Sequence, residues 1–158
     1  LAGAAGTVTG AAITRLLGGK TDIVMMLNGA LAGLVAITAE PLTPGPITAM
    51  IIGSIGAVIM YFGTKMLEGF GIDDVVGAIP VHMFAGIFGT LVVPFTNADT
   101  SLGTQFVGTL SVVLFSFVLS YLVFMAMKVT IGLRISKAAE KLGTDKAEVG
   151  VIAYSIRD

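Results

Sequence analysis

Long apolar runs with almost no charged side chains constrain the fold of this chain more than any other feature. Five runs come close to, or fall within, the roughly 17–25 residues that a helix needs to cross the ~30 Å hydrocarbon core of a bilayer. They cover residues 1–17, 23–39, 47–64, 75–95 and 100–127. In a water-soluble domain of 158 residues, the part of the chain left to face water would be too small to cover five such helices. The pattern therefore predicts an all-α, polytopic membrane bundle of five transmembrane helices.

Composition excludes several other classes of protein. Charged residues make up 12% of the chain, about half of the ~25% found in soluble domains. A net charge of −1 provides no basic surface for nucleic acid. The chain has no cysteine and one histidine, and no nucleophile beside a base and no phosphate-binding loop is evident. We therefore expect neither an enzyme nor a metal or cofactor site.

The basic residues predict the orientation and the domain boundary. Arg15, Lys20 and Lys65 fall on one side of the predicted bundle, and the other six Lys and Arg residues follow the fifth run. The opposite side carries only Glu40 and Asp99. By the positive-inside rule the basic side is cytoplasmic. This predicts a transmembrane domain over residues 1–130 in the inner cell membrane and a cytoplasmic tail over 131–158. Because Leu1 opens directly in apolar sequence without a Met, we also expect a longer parent protein.

Glycine pairs at helical spacing predict close contacts between the helices. In lipid, small residues let helix backbones approach each other and so supply the packing. The pairs are Gly6 and Gly10, Gly29 and Gly33, Gly53 and Gly56, and Gly86 and Gly89. Among the few polar residues in the runs, Asn28 is predicted to bridge two helices and Tyr61 to anchor at the membrane surface.

His82 is the only histidine and the only ionisable residue deep in any run. It lies eight residues after Asp74, or about 12 Å along a helix, which is near the middle of the bilayer. Such a residue is by default a candidate for function. The alternative is a neutral histidine hydrogen-bonded to a neighbouring carbonyl. Pro80, two residues earlier, frees the carbonyl of Val76 and loosens the helix locally.

Several motifs resemble the ammonium transporter, methylammonium permease and Rhesus family. The run 28–38 (NGALAGLVAIT) is similar to the family signature, and Asp73-Asp74, Val81-His82, Gly86 and Gly89-Thr90 follow with its spacing. Gly132-Leu133-Arg134, Glu140, Gly143, Asp145, Gly150 and Ala153-Tyr154 resemble the family's cytoplasmic tail. The resemblance favours the ammonium transporter branch. It covers only the C-terminal half, which corresponds to the last five of the family's eleven helices.

The resemblance implies transport of ammonium or ammonia through a hydrophobic pore between two inverted halves. Ammonium would lose a proton near a pair of histidines, of which His82 would be the second. Thr38 and Ala78 would line the pore, and Lys20 and Asp74 would lie near its cytoplasmic exit. Ala78 is smaller than the branched residue often found there, so the pore would be slightly wider.

The resemblance also implies partners. These are a homotrimeric assembly in the lipid bilayer and a PII-type regulator at the cytoplasmic face. Gly132, Arg134, Gly143 and Asp145 would form the regulatory tail, although Val149 stands where many family tails have His. The tail's mixed charges between Lys137 and Lys146 also suit a solvated helix that merely caps the bundle. A further alternative is an ammonium sensor on the same scaffold, coupled to a signalling domain beyond residue 158.

Overall fold

A computed structural model describes residues 1–153, and the tail residues Tyr154 and Arg157 lie outside the described part. Residues 1–153 form helices and connecting turns without any β-strand. The five long helices are α1 (Ala2–Gly18), α2 (Ile23–Thr38), α3 (Pro46–Gly69), α4 (Ile79–Phe95) and α5 (Leu102–Thr130). The predicted all-α bundle is therefore confirmed.

Two of the helices are long and apolar enough to cross a membrane by themselves. They are α3, with 24 residues, and α5, with 29 residues. The helices α2 and α4 are apolar but shorter. The helix α1 has 17 residues and ends at Gly18. The next residue, Gly19, has a left-handed φ of 74°, which is a common way to end a helix.

The chain divides into two compact units, Leu1–Val112 and the residues from Val113 onward. In the first unit, α1, α2 and α3 pack on each other through glycines. A Cβ at Gly29 would lie 2.6 Å from the carbonyl oxygen of Gly6, and a Cβ at Gly10 would lie 2.8 Å from that of Met25. Gly33 and Gly53 both lie against the backbone of Ala2. These contacts confirm the close approach predicted from the glycine spacing for α1, α2 and α3, whereas Gly86 of α4 meets only the Val35 side chain, at 3.6 Å.

The core between these helices contains one residue that we predicted at the membrane surface. Tyr61 is 8% exposed and packs in the cluster of buried residues with Met60 and Val81. The prediction of a surface anchor was therefore wrong. Tyr61 is buried because α3 turns the helical face of Met60, Tyr61 and Gly63 towards its neighbours.

The second unit begins inside α5 and includes the tail. None of the α5 residues is buried within the described chain, although the helix is apolar on every side. Such a helix is suited to lipid or to further helices. In the tail, α6 (Lys137–Leu142) begins at Ser136, whose hydroxyl accepts the Ala139 N–H at 3.1 Å. The helix predicted across 137–146 is interrupted at Gly143, which has a φ of 95°.

Candidate functional site

A short non-helical segment at residues 75–77, called the break below, precedes α4. The fourth run was predicted to be helical from residue 75, but helical backbone begins only at Ala78, just before the π-helical turn from Ile79, and the prediction was wrong for residues 75–77. Gly77 has a φ of 73°, which a continuous right-handed helix does not allow. Once formed, α4 starts with a π-helical turn, Ile79–Phe84, before it continues as an α-helix. Such turns often occur at functional sites.

Asp74 lies just before the break and caps the first turn of α4. Its two carboxylate oxygens accept the backbone N–H groups of Ala78 and Ile79 at 2.9 and 2.8 Å. The first N–H groups of a helix have no partner within the helix, and a carboxylate is a strong acceptor for them. The predicted exit residue Asp74 thus has a clear role as the cap of α4. Sequence reasoning missed this role, although the pattern Asp74-x-x-Gly77 before Pro80 is a recognisable turn and helix-start signal.

Asn28 links the break to α2. Its Nδ2 donates to the carbonyl oxygen of Val76 at 2.9 Å. This bond confirms that Asn28 bridges two parts of the bundle, and it satisfies a carbonyl that no helix satisfies. Irregular backbone inside a membrane bundle needs such partners, because lipid offers none.

His82 lies within the π-helical turn and is exposed in this chain. Within residues 1–153 no hydrogen bond to its ring is found, so the ring is not held by a neighbouring carbonyl there. The two residues before it differ, since the side chains of Pro80 and Val81 are almost completely buried. The fold therefore fixes the backbone just before His82 and leaves the imidazole on an open surface.

The predicted pore residues lie at two levels of the bundle. Ala78 and His82 are exposed, one turn apart, at the start of α4. Thr38 is exposed at the far end of α2, where its hydroxyl donates to the Leu34 carbonyl at 2.6 Å. Gly89 packs against Ala36. From this register, Thr38 is about 10 Å or more from the level of His82 along the bundle axis. The structure does not bring Thr38 into contact with His82.

Three residues of α2 that flank its contact with α4 are exposed. Asn28 faces the start of α4, and Val35 faces Gly86 further along it. At about 100° per residue, Val24, Leu31 and Thr38 lie next to that contact face, and all three are exposed. Ala78 and His82, at the start of α4, are exposed as well.

Lys20 and Asp74, the predicted exit residues, border different cavities at the same end of the first unit. Lys20 lines a cavity of about 350 Å³ together with Asp22, Tyr61 and Lys65. Asp74 lines one of about 230 Å³, together with Thr64, Glu68, Asp73 and Pro80. The end of the bundle that carries Lys20 is thus mixed in charge.

The predicted regulatory residues of the tail are held in tight turns. Gly132 and Gly143 both have left-handed φ angles, of 80° and 95°. The Asp145 carboxylate accepts the Ala153 N–H at 2.9 Å, and this hydrogen bond holds the Asp145 pKa below its ordinary value. Arg134 is exposed.

Comparison with known proteins decides the family. The model of the Ammonium Transporter Family matches residues 1–154. The chain belongs to the ammonium transporter family. It is 39% identical to the ammonium transporter Amt2 of Archaeoglobus fulgidus over 98% of the chain and 37% of that protein. It is 32% identical to the ammonium transporter Amt2 of Methanocaldococcus jannaschii over 93% of the chain and 37% of that protein.

A solved structure agrees with the family. A protein called Sensor Amt Protein superposes with a TM-score of 0.86 and 30% identity, over 93% of this chain and 39% of that one. The chain thus spans about two fifths of the length of these relatives. Its relatives are named as transporters rather than enzymes, and the fold is that of a helical membrane bundle of this family.

Proposed function

We propose that this chain forms one half of a pore that carries ammonium or ammonia across the membrane, and that His82 handles the proton. The observation that carries the proposal is the state of His82. Its imidazole is exposed, without a hydrogen bond from residues 1–153, in the π-helical turn with which α4 starts. Such π-helical turns often occur at functional sites.

The chemistry explains selectivity without a close-fitting site. A cation that enters a dry apolar passage loses its hydration shell, and the idealised cost is tens of kcal/mol. Ammonium avoids carrying this charge itself when one N–H bond breaks and its proton moves to an imidazole nitrogen; the ammonia that remains is neutral, and the positive charge stays on the imidazolium until the proton passes on. Potassium has no proton to give. A neutral imidazole has one nitrogen that accepts and one that donates, so a second imidazole beside His82 would relay the proton.

The rest of the assembly belongs to the same proposal. The second histidine would come from the part of the protein outside this chain. Thr38 and Ala78 would line the pore, with Lys20 and Asp74 near its exit. The protein would be a homotrimer of the inner cell membrane with a cytoplasmic C-terminus, and Gly132, Arg134, Gly143 and Asp145 would form a surface for a PII-type regulator. The distribution of Lys and Arg supports this orientation.

The test is His82→Ala in the full-length protein, with uptake of labelled methylammonium as the measurement. We expect the substitution to abolish uptake or to remove its selectivity against potassium. Met83→Ala is the matched control, because Met83 is the next residue and is also exposed. His82→Glu is a useful companion, since a carboxylate still accepts a proton but also attracts cations. Normal, selective uptake by His82→Ala would remove His82 from the mechanism.

A sensor is the second candidate, and the name of the similar solved structure favours keeping it. A sensor would bind ammonium and pass the signal to an attached domain instead of conducting. Flux into liposomes that contain the purified full-length protein separates the two functions. Ammonium binding without flux supports the sensor, and steady flux supports the transporter.

A further inference from the structure

We propose that Asn28 is a positioning residue that fixes how α4 enters the bundle and thereby orients His82. The inference rests on the proposed role of His82, but its central measurement does not require transport. It starts from the break at residues 75–77, which leaves the first turn of α4 without a preceding helix.

The other hydrogen bonds of the break are local. Asp74 binds the N–H groups of Ala78 and Ile79, and the Gly77 N–H binds the carbonyl of Asp74 at 3.1 Å. The Val81 N–H donates to the Gly77 carbonyl at 3.2 Å. These bonds define the shape of the turn, but they do not place it relative to the other helices.

Asn28 supplies the connection that places the turn. Within residues 1–153, the bond from its Nδ2 to the Val76 carbonyl is the one hydrogen bond between residues 74–82 and another helix. The missing side chain of Gly77 leaves room for this contact, because a Cβ there would lie 2.7 Å from the same Nδ2. Gly77 is therefore required twice, for its left-handed φ and for the space that the amide occupies.

Buried side chains hold the other end of the segment. Pro80 and Val81 are packed in the core and hold the backbone just before His82, but they do not constrain the turn at residues 75–77. The bond to Val76 does constrain that turn, because a hydrogen bond has a direction. Held between Asn28 and the core, the intervening residues keep the π-helical winding that leaves His82 exposed.

Asn97 offers a matched control at the opposite end of the first unit. Its Nδ2 also makes a long-range hydrogen bond of 2.9 Å, in this case to Glu40. Asn28→Ala and Asn97→Ala each remove the same amide and one long-range bond. Asn28→Leu is the second variant, because leucine fills the volume of the amide and keeps the packing if the alanine variant does not fold.

The experiment uses the full-length protein labelled with ¹⁵N-histidine. The NMR signal of His82 is identified by its loss in His82→Ala. We expect Asn28→Leu and Asn28→Ala to shift this signal, to change the pH profile of methylammonium uptake and to lower uptake by as much as about 100-fold, as expected for a misplaced reacting group. Asn97→Ala leaves all three unchanged.

The outcomes separate the two proposals. If the His82 signal of Asn28→Leu coincides with that of the unmodified protein, Asn28 does not position His82. If His82→Ala transports normally but Asn28→Leu still shifts the signal, the proposed function fails and the positioning role stands.

Discussion

The contact between α1 and α2 predicts a large effect from a single methyl group at Gly29. A Cβ added there would lie 2.6 Å from the carbonyl oxygen of Gly6 and 3.3 Å from the Cα of Gly10. Ordinary contacts of a Cβ begin at 3.4 Å. The two helices would have to separate by about 0.8 Å, the difference between 3.4 and 2.6 Å, and both neighbours are backbone atoms that cannot rotate away.

The expected cost follows from two opposing effects. Overpacking a well-packed interior costs about 1–3 kcal/mol, and a contact between two backbones belongs at the upper end of that range. Replacing a mid-helix glycine by alanine returns about 1 kcal/mol. We therefore expect Gly29→Ala to reduce the free energy of unfolding by about 2 kcal/mol, or roughly thirtyfold in the folded-to-unfolded ratio.

Gly86→Ala is the control, because a Cβ there would meet only the Val35 side chain, at 3.6 Å. This variant should be as stable as the parent protein or slightly more stable. The assay is reversible unfolding of the full-length protein in mixed micelles with increasing SDS, followed by circular dichroism. Equal unfolding midpoints for Gly29→Ala and Gly86→Ala would refute the close backbone contact between α1 and α2.

Two further predictions concern carboxylates outside the membrane-spanning helices. The amide of Asn97 holds the pKa of Glu40 below its ordinary value of 4.5, so the stabilisation is present above that value and is lost as pH falls below it. Glu40→Gln should remove this acid sensitivity, and thermal unfolding at several pH values measures it. In the tail, Asp145→Ala should speed hydrogen exchange at the Ala153 amide, which the Asp145 carboxylate binds. Glu148→Ala is the control for the Asp145 substitution, and equal exchange in both variants would contradict the predicted role.

The apolar runs of the sequence predicted most of the helix bounds to within a few residues. The run predicted at 23–39 is the helix Ile23–Thr38, and the run at 100–127 is Leu102–Thr130. These bounds follow from the sequence because an apolar run in lipid must satisfy its own backbone, and a helix does so locally. Hydropathy could not predict the start of α4, since residues 75–77 are about as apolar as the helix that follows.

A helical membrane bundle of a recognisable family, with one imidazole among apolar residues, could be predicted from the amino-acid sequence alone. These properties reside in composition, in glycine spacing and in local motifs, which do not depend on distant contacts. Three properties emerged only from the folded chain: the irregular backbone just before α4, the hydrogen bond from Asn28 to Val76 across 48 residues, and the exposure of His82 beside the buried Val81. Those properties depend on how α2 and α4 pack, because a side chain's partner and exposure are set by residues far away in the chain.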